Sequence, residues 1–443
     1  MTTPRTAAAV ALSAAFLDGP WTTAAALAGR GAEALDVTPR RLRATARAVL
    51  DAYRTPPRDR PRELAAFVQA LPSYERLWRR GRPPQVRRHA TPTVAMAPMR
   101  WQVPPIDSMA DLASWADLSA AHLDWYADVR SLERSVPAVL RHYDRTWSYN
   151  RPGRVRLLEQ PRPRLKALQR RLLHEVLDQV PAHDAAHGFV AGRSIRTFAA
   201  PHAGRDVVIH LDLSAFFATI SAGRVFGVFR SIGYAEPVAH CLTGLSTTVL
   251  PLADRRLAPP ALRDDDVDPR RRLLEHLARP HLPQGSPTSP ALANLVAYRL
   301  DTRLAGLARA ADATYTRYAD DLALSLHGPD APRRARRLVD TVRAVVREEG
   351  FRVNDAKTRI ATRDQRQLLC GVVVNDHPGV LRAERDALRA LLHNCRLHGP
   401  ESQNRNGHND FRAHLLGRIA WVTSVDSAQG ARLRAQFDHI AGW

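Results

Sequence analysis

Lysine is nearly absent from this chain: of 65 Lys and Arg residues, only Lys166 and Lys357 are lysine. Arginine cannot readily give up a proton, so few basic side chains are left that could move one. Cysteine is scarce too. Cys241, Cys370 and Cys395 are odd in number and widely spaced, with no Cys-x-x-Cys. That excludes a disulfide framework and points to reduced thiols in a cytoplasmic protein. His393 and His398 flank Cys395, but a four-ligand zinc site needs a second cluster, and none is evident. Acidic residues number 44 against 65 basic ones, a net charge of +21. Such an excess suits a polyanionic partner, nucleic acid first. No apolar run approaches the roughly 20 residues that span a bilayer. The alanine-rich stretch Ala7–Leu17 lacks the bulky apolar centre of a secretory leader and reads as an amphipathic helix.

What is present is an ordinary globular composition, 45% hydrophobic over 443 residues, enough for two or three structural units. Residues 1–81 read as short helices broken at Gly19-Pro20, Gly29–Gly31 and Thr55-Pro56-Pro57, with Thr38-Pro39 as a helix start. Residues 82–106, rich in Pro and Arg, read as a basic linker. Helices return over 107–134. Arg154–Gln160 is a candidate strand whose Arg154 and Arg156, with Arg151, are candidates for triphosphate or template contact. A helix from Pro163 through Val180 follows, with leucines at helical spacing and Lys166, Arg170 and Arg171 opposite. Those charges either solvate the helix or meet nucleic acid. The carboxylate run Asp264–Asp266 with Asp268, between prolines, reads as a solvated loop.

The chemistry concentrates in Thr314–Leu326, Thr-Tyr-Thr-Arg-Tyr-Ala-Asp-Asp-Leu-Ala-Leu-Ser-Leu. Two β-prone runs flank a tight turn carrying Asp320 and Asp321. Adjacent carboxylates repel unless a cation is shared, and hard oxygen ligands suit Mg²⁺. An isolated Asp-Asp pair is more often a plain polar turn, and it is the flanking blocks that turn the reading toward a metal site. A third carboxylate, Asp212, ends the β-rich run Asp206–Leu213. A strand-end Asp beside a hairpin-tip pair would hold two metals about 3.5–4 Å apart. Phe216 reads as core. Phe217, five residues after Asp212, could lie beneath the incoming sugar, where a ring excludes a 2′-hydroxyl and selects deoxynucleotides. His187–Ile195 places Gly188 and Gly192 around Phe189, beside Arg193, in a loop suited to close approach to a backbone or phosphate. Gln284 and Gly285 sit in a turn-rich block before a helix from Pro290 to Ala308, with Ser289 as its cap; a missing side chain there admits a nucleotide or template base. Lys357 could protonate departing pyrophosphate or simply contact phosphate. Leu368–Asn375 reads as a strand pair or bulged strand with Gly371 at the bulge.

Taken in order, His187–Ile195, Asp212–Ile220, Leu282–Pro290, Tyr318–Asp321 and Phe351–Asn375 resemble the motif blocks of reverse transcriptases of the bacterial retron type. The likeness runs from about Asp107 to Trp443. It implies an α+β right hand: fingers and palm over 107–365, with an antiparallel sheet, then primer-holding strands and a helical thumb over 366–443. It also implies that Asp212, Asp320 and Asp321 hold two Mg²⁺ ions, assisted by the Leu213 carbonyl. Phe217 would be the sugar gate and Gln284-Gly285 the nucleotide and template block. Gly188, Arg193, Tyr318 and Gly371 would meet primer and template. The implied partners are a structured non-coding RNA serving as template and primer, dNTPs, the nascent single-stranded DNA and an effector protein, with no membrane. The implied product is a branched RNA–DNA hybrid and the implied role phage defence. Two stretches depart from the pattern: Phe198–His202 keeps only Ala199 and His202 of Asn-Ala-x-x-His, and Leu369-Cys370-Gly371 stands for Val-Thr-Gly.

Overall fold

The computed structural model describes residues 3–79, 82–151 and 154–443, so Gly81, at the expected boundary of the first segment, lies outside it. The chain separates into two compact units, Met1–Val180 with Ile220–Ser289, and Pro181–Thr219 with Pro290–Trp443.

The first unit opens with five helices, Pro4–Leu17, Ala24–Leu35, Pro39–Ala52, Pro61–Ala70 and Pro72–Arg79. Their starts are written locally. Thr3 and Thr23 cap the first two by accepting from the amides of Thr6 and Ala26, whereas Thr38 makes no capping bond. Leu12, Phe16, Leu27, Leu35, Leu42, Val49, Leu64, Val68 and Tyr74 meet in one core. Each such side chain contributes about 1.5–3 kcal/mol by leaving water. Residues 82–107 have no regular element.

Strands β1 (Tyr143–Arg151) and β2 (Arg154–Pro161) form an antiparallel hairpin. The following helix is Pro163–Glu175; the expected last turn to Val180 is instead a 3₁₀ turn over Leu177–Gln179. A buried network ties β2 down. Glu159 accepts from Arg145 Nε at 3.2 Å and pairs with His281 Nε2 at 2.8 Å. Burial alone would raise the Glu159 carboxyl, but His281 and Arg145 outweigh it and hold it below its ordinary value. Asp264–Asp266 is not a loop: it forms the 3₁₀ turn entering the Val267–Leu277 helix, with Asp266 buried. Carboxylates in a helix's first turn complement its positive end, which explains the run.

The second unit is built on a four-stranded antiparallel sheet. Its strands are β3 (Val207–Asp212), β4 (Ala313–Tyr318), β5 (Asp321–Leu326) and β6 (Arg359–Thr362), in spatial order β4-β5-β3-β6. Pleating sends Val207, Ile209 and Leu211 to one face and Val208, His210 and Asp212 to the other. Helices Tyr298–Ala310 and Ala331–Glu348 belong to this unit. The expected single helix Pro290–Ala308 is two, Ser289–Val296 and Tyr298–Ala310, separated at Ala297. Strands β7 (Leu368–Leu369), β8 (Val372–Val373) and β9 (Gly379–Val380) make a small sheet. Gly371 sits in the two-residue β7–β8 turn, with Cys370 at φ +46° and Gly371 at +87°, rather than in a bulge. Its residues join Val208, Ala323 and Phe198 in a core. Three helices close the chain, Arg382–His398, Phe411–Val425 and Ser427–Asp438, around Leu392, Leu415, Ile419 and Phe437. No described helix is long and apolar enough to cross a membrane.

Candidate active site

Tyr318 pairs with Asp321, so Ala319 and Asp320 form a two-residue hairpin turn. Ala319 sits in the left-handed region, at φ +55°. A non-glycine residue there costs of order 1–3 kcal/mol and persists only where its surroundings impose it. Arg317 supplies that restraint. Fully buried, it donates from Nη1 to the Ala319 carbonyl and to Asn294 Oδ1, each at 3.0 Å. Its Nε and Nη2 grip Asp301 at 2.8 and 2.6 Å, and Tyr315 donates to the same carboxylate. From the other side, Asn294 Nδ2 donates to the Gly188 carbonyl at 2.9 Å. A Cβ at Gly188 would lie 2.6 Å from the Ala319 amide nitrogen, so only glycine fits against the turn.

This clamp sets Asp320 and Asp321 beside Asp212. Asp212 and Asp321 are cross-strand partners on β3 and β5, and the Leu213 amide donates to the Asp320 carbonyl at 2.8 Å. Three carboxylates from two strand ends and a turn therefore share one locus. Asp212 is held by Asn354 Nδ2 at 2.9 Å and Lys357 Nζ at 2.5 Å. Asp321 accepts from His210 Nε2 at 2.7 Å and from the Cys370 thiol at 3.1 Å. The environments differ accordingly. Burial, then the charges of Asp321 and Asp212, pushes the Asp320 carboxyl up to about 6. Burial would raise Asp321 too, but His210, Cys370 and Lys357 outweigh it and hold it below its ordinary value. A carboxyl destabilised by like charges, among hard oxygen donors, is the electrostatic profile of a divalent-cation site, and the residues fit such an ion.

The other expected site residues divide between the units. In the second, Phe217 is half-buried with its ring 6.4 Å from that of Phe189, while Phe216 is buried against Phe351. Tyr318 is half-buried beside Phe198 at 5.8 Å. Arg193 donates to the carbonyls of Ala186, at 2.7 Å, and Asp184, bracing its own loop. In the first, Arg156 is exposed on β2, and the Arg154 side chain lies outside the described residues. Gly285, at φ +127°, makes room for the Glu159 carbonyl, 3.0 Å from where its Cβ would be, and Gln284 accepts from the Glu159 amide at 2.8 Å. Sequence reasoning missed His210, Arg317 and Cys370. A lone charged residue inside an otherwise uncharged strand was the available signal for Arg317; neighbours contributed from distant segments left none for His210 and Cys370.

A family model described as reverse transcriptase (RNA-dependent DNA polymerase) matches residues 147–374. The retron Mx65 reverse transcriptase of Myxococcus xanthus is 42% identical over 336 residues, covering 75% of this chain and 72% of that one. The retron Mx162 enzyme of the same organism is 38% identical over 76% of this chain and 67% of its own. The retron Ec86 enzyme of Escherichia coli is 32% identical over 63% and 75%. Reverse transcriptases depend on divalent metal ions, in keeping with the carboxylate locus. Sequence likeness and site geometry converge: the chain belongs to the bacterial retron reverse transcriptases and is an RNA-directed DNA polymerase.

Proposed function

We propose that this polymerase copies a structured partner RNA into single-stranded DNA, primed from a 2′-hydroxyl of that RNA, giving a branched RNA–DNA hybrid. The observation that carries the reading is the convergence of Asp212, Asp320 and Asp321 at adjoining strand ends. These three, with the Leu213 carbonyl, would hold two Mg²⁺ ions. Ions bound there would activate the priming hydroxyl and neutralise the triphosphate. The priming hydroxyl would pass its proton to solvent as its oxygen bonds the α-phosphorus, the α–β bridging bond would break, and pyrophosphate would leave. Asn354 and Lys357 fix the Asp212 carboxylate before substrate arrives, so little reorganisation remains for the reaction itself. Lys357, in this reading, would also protonate the leaving group or contact its phosphate. Phe217 would exclude ribonucleotides. Arg154, Arg156, Gln284 and Gly285 complete the nucleotide contacts in this reading, and Gly188, Arg193, Tyr318 and Gly371 those to primer and template. The cellular setting we propose is phage defence in the cytoplasm, together with an effector protein.

Sequencing the nucleic acid that co-purifies with the protein tests this. We expect single-stranded DNA joined to RNA through a 2′–5′ bond, released by a debranching nuclease and absent when Asp320→Asn/Asp321→Asn replaces the wild type. Unbranched DNA would mean a retron-like enzyme with another primer. Full biological activity in the double variant would mean a non-catalytic RNA-binding scaffold.

A further inference from the structure

At the carboxylate locus Asp321 also meets two ligand types that Mg²⁺ chemistry does not use, an imidazole and a thiol. His210 Nε2, an Asp321 carboxylate oxygen and Cys370 Sγ all lie within 4.8 Å of one another. They come from three elements, β3, β5 and the β7–β8 turn, and each is partly accessible rather than sealed in the core. Imidazole, carboxylate and thiolate together suit a borderline-soft ion, and the thiolate disfavours Mg²⁺. A tetrahedral zinc ion has ligands about 2.0–2.3 Å from the metal, hence roughly 3.3–3.8 Å from one another. His210 Nε2 meets Asp321 Oδ1 at 2.7 Å and Cys370 Sγ meets Asp321 Oδ2 at 3.1 Å, so the imidazole and the thiol flank the carboxylate, and an ion between them would take one of its oxygens.

We propose that His210, Asp321 and Cys370 form a three-ligand Zn²⁺ site, with water in the fourth position, and that zinc bound there inhibits polymerisation. On binding, the Cys370 thiol proton passes to solvent and the Cys370–Asp321 hydrogen bond is replaced by two metal bonds. The inhibitory consequence rests on the catalytic reading of Asp321: a carboxylate drawn onto zinc is withdrawn from the polymerase ions.

Co²⁺, a spectroscopic stand-in for Zn²⁺, tests the site directly on the full-length, metal-stripped protein. We expect one equivalent to produce a thiolate-to-cobalt charge-transfer band that Zn²⁺ bleaches. The band should disappear in Cys370→Ser, weaken at least about tenfold in apparent affinity in His210→Gln, and survive in Cys241→Ser and Cys395→Ser. A missing band in the wild type, or one that persists in Cys370→Ser, overturns the site. If Cys370→Ser does not fold, the wild-type protein decides. Zn²⁺ should slow maleimide labelling of Cys370, read by peptide mass mapping, and equal labelling with and without zinc is the overturning result. Mg²⁺-supported dNTP incorporation on the same samples separates the two readings. Incorporation by the metal-stripped protein with no band on titration defeats the zinc site alone; absence of incorporation before any Zn²⁺ or Co²⁺ is added defeats the catalytic assignment of Asp321; and incorporation that Zn²⁺ leaves unchanged while the band forms overturns the inhibition.

Discussion

Arg317 illustrates what a single side chain does in this molecule. Its guanidinium is wholly buried, paired with Asp301, and aimed at the carbonyl of the strained Ala319. Removing one member of a buried pair strands the other charge, so Arg317→Met should cost about 3–5 kcal/mol in denaturant unfolding. Adding Asp301→Leu should recover part of that loss, which a single-site packing defect would not. His202 makes a different demand. It is buried between Ser325 Oγ and Thr316 Oγ1, at 2.7 and 2.8 Å, and burial, then Arg205 and His187, lowers its pKa from 6.5 to about 3. Below pH 6.5 the unfolded chain takes up a proton that the folded one refuses. Stability therefore falls with pH, by up to about 1.4 kcal/mol per unit between 6.5 and about 3, and is unaffected above that window. His202→Gln should flatten this part of the stability–pH curve, measured by urea unfolding at each pH. At Phe217 the outcome is kinetic: if its ring is the sugar gate, Phe217→Ala should raise incorporation of ribonucleotides relative to deoxynucleotides at least tenfold, without shifting the unfolding midpoint by more than a degree or two.

At the scale of elements, the β4–β5 hairpin is positioned from two sides. Arg317 and Asn294 hold its turn from within, and the loop carrying Gly188 presses on it from outside. A Cβ 2.6 Å from a backbone nitrogen cannot be absorbed by a flexible side chain, so Gly188→Ala must displace either the loop or the turn. A misplacement near 1 Å can cost about 10²-fold in rate. We expect Gly188→Ala to lower nucleotide incorporation by roughly that factor while the protein stays folded, as judged by near-UV circular dichroism. Wild-type turnover in this variant would mean that the locus tolerates movement of its turn. The hairpin was legible from alternation and β-branched residues because the pleat has period two. The break of the 289–310 helix at Ala297 was not, since no proline or glycine marks it and only packing decides it.

Across the whole molecule the dominant quantity is charge. An excess of +21, carried almost wholly by arginine, suits bidentate contact with phosphates. RNA affinity should then fall steeply with salt, by about 10³–10⁵ between 50 and 200 mM if six to ten phosphates are engaged. Filter binding across that range checks it, and a flat response would remove electrostatics as the driving term. Charge, the order of the motif blocks and the acidic trio Asp212, Asp320 and Asp321 were all readable along the chain, because composition and local turn chemistry do not depend on distant partners. The reading of Gly188 as a point of close backbone approach was right in kind, but the backbone it meets, that of Ala319, could not be named without coordinates. The same holds for Lys357 and Asn354 on Asp212, for His210 and Cys370 on Asp321, and for the buried Arg317–Asp301 pair. The sequence by itself determined most element types, through periodicity, and the acidic residues and the family, through ordered motif blocks that resemble those of retron reverse transcriptases. Tertiary structure alone decided which side chains restrain those acids and shift their protonation, because those contacts join residues 49 to 145 positions apart and arise only when the strands pair.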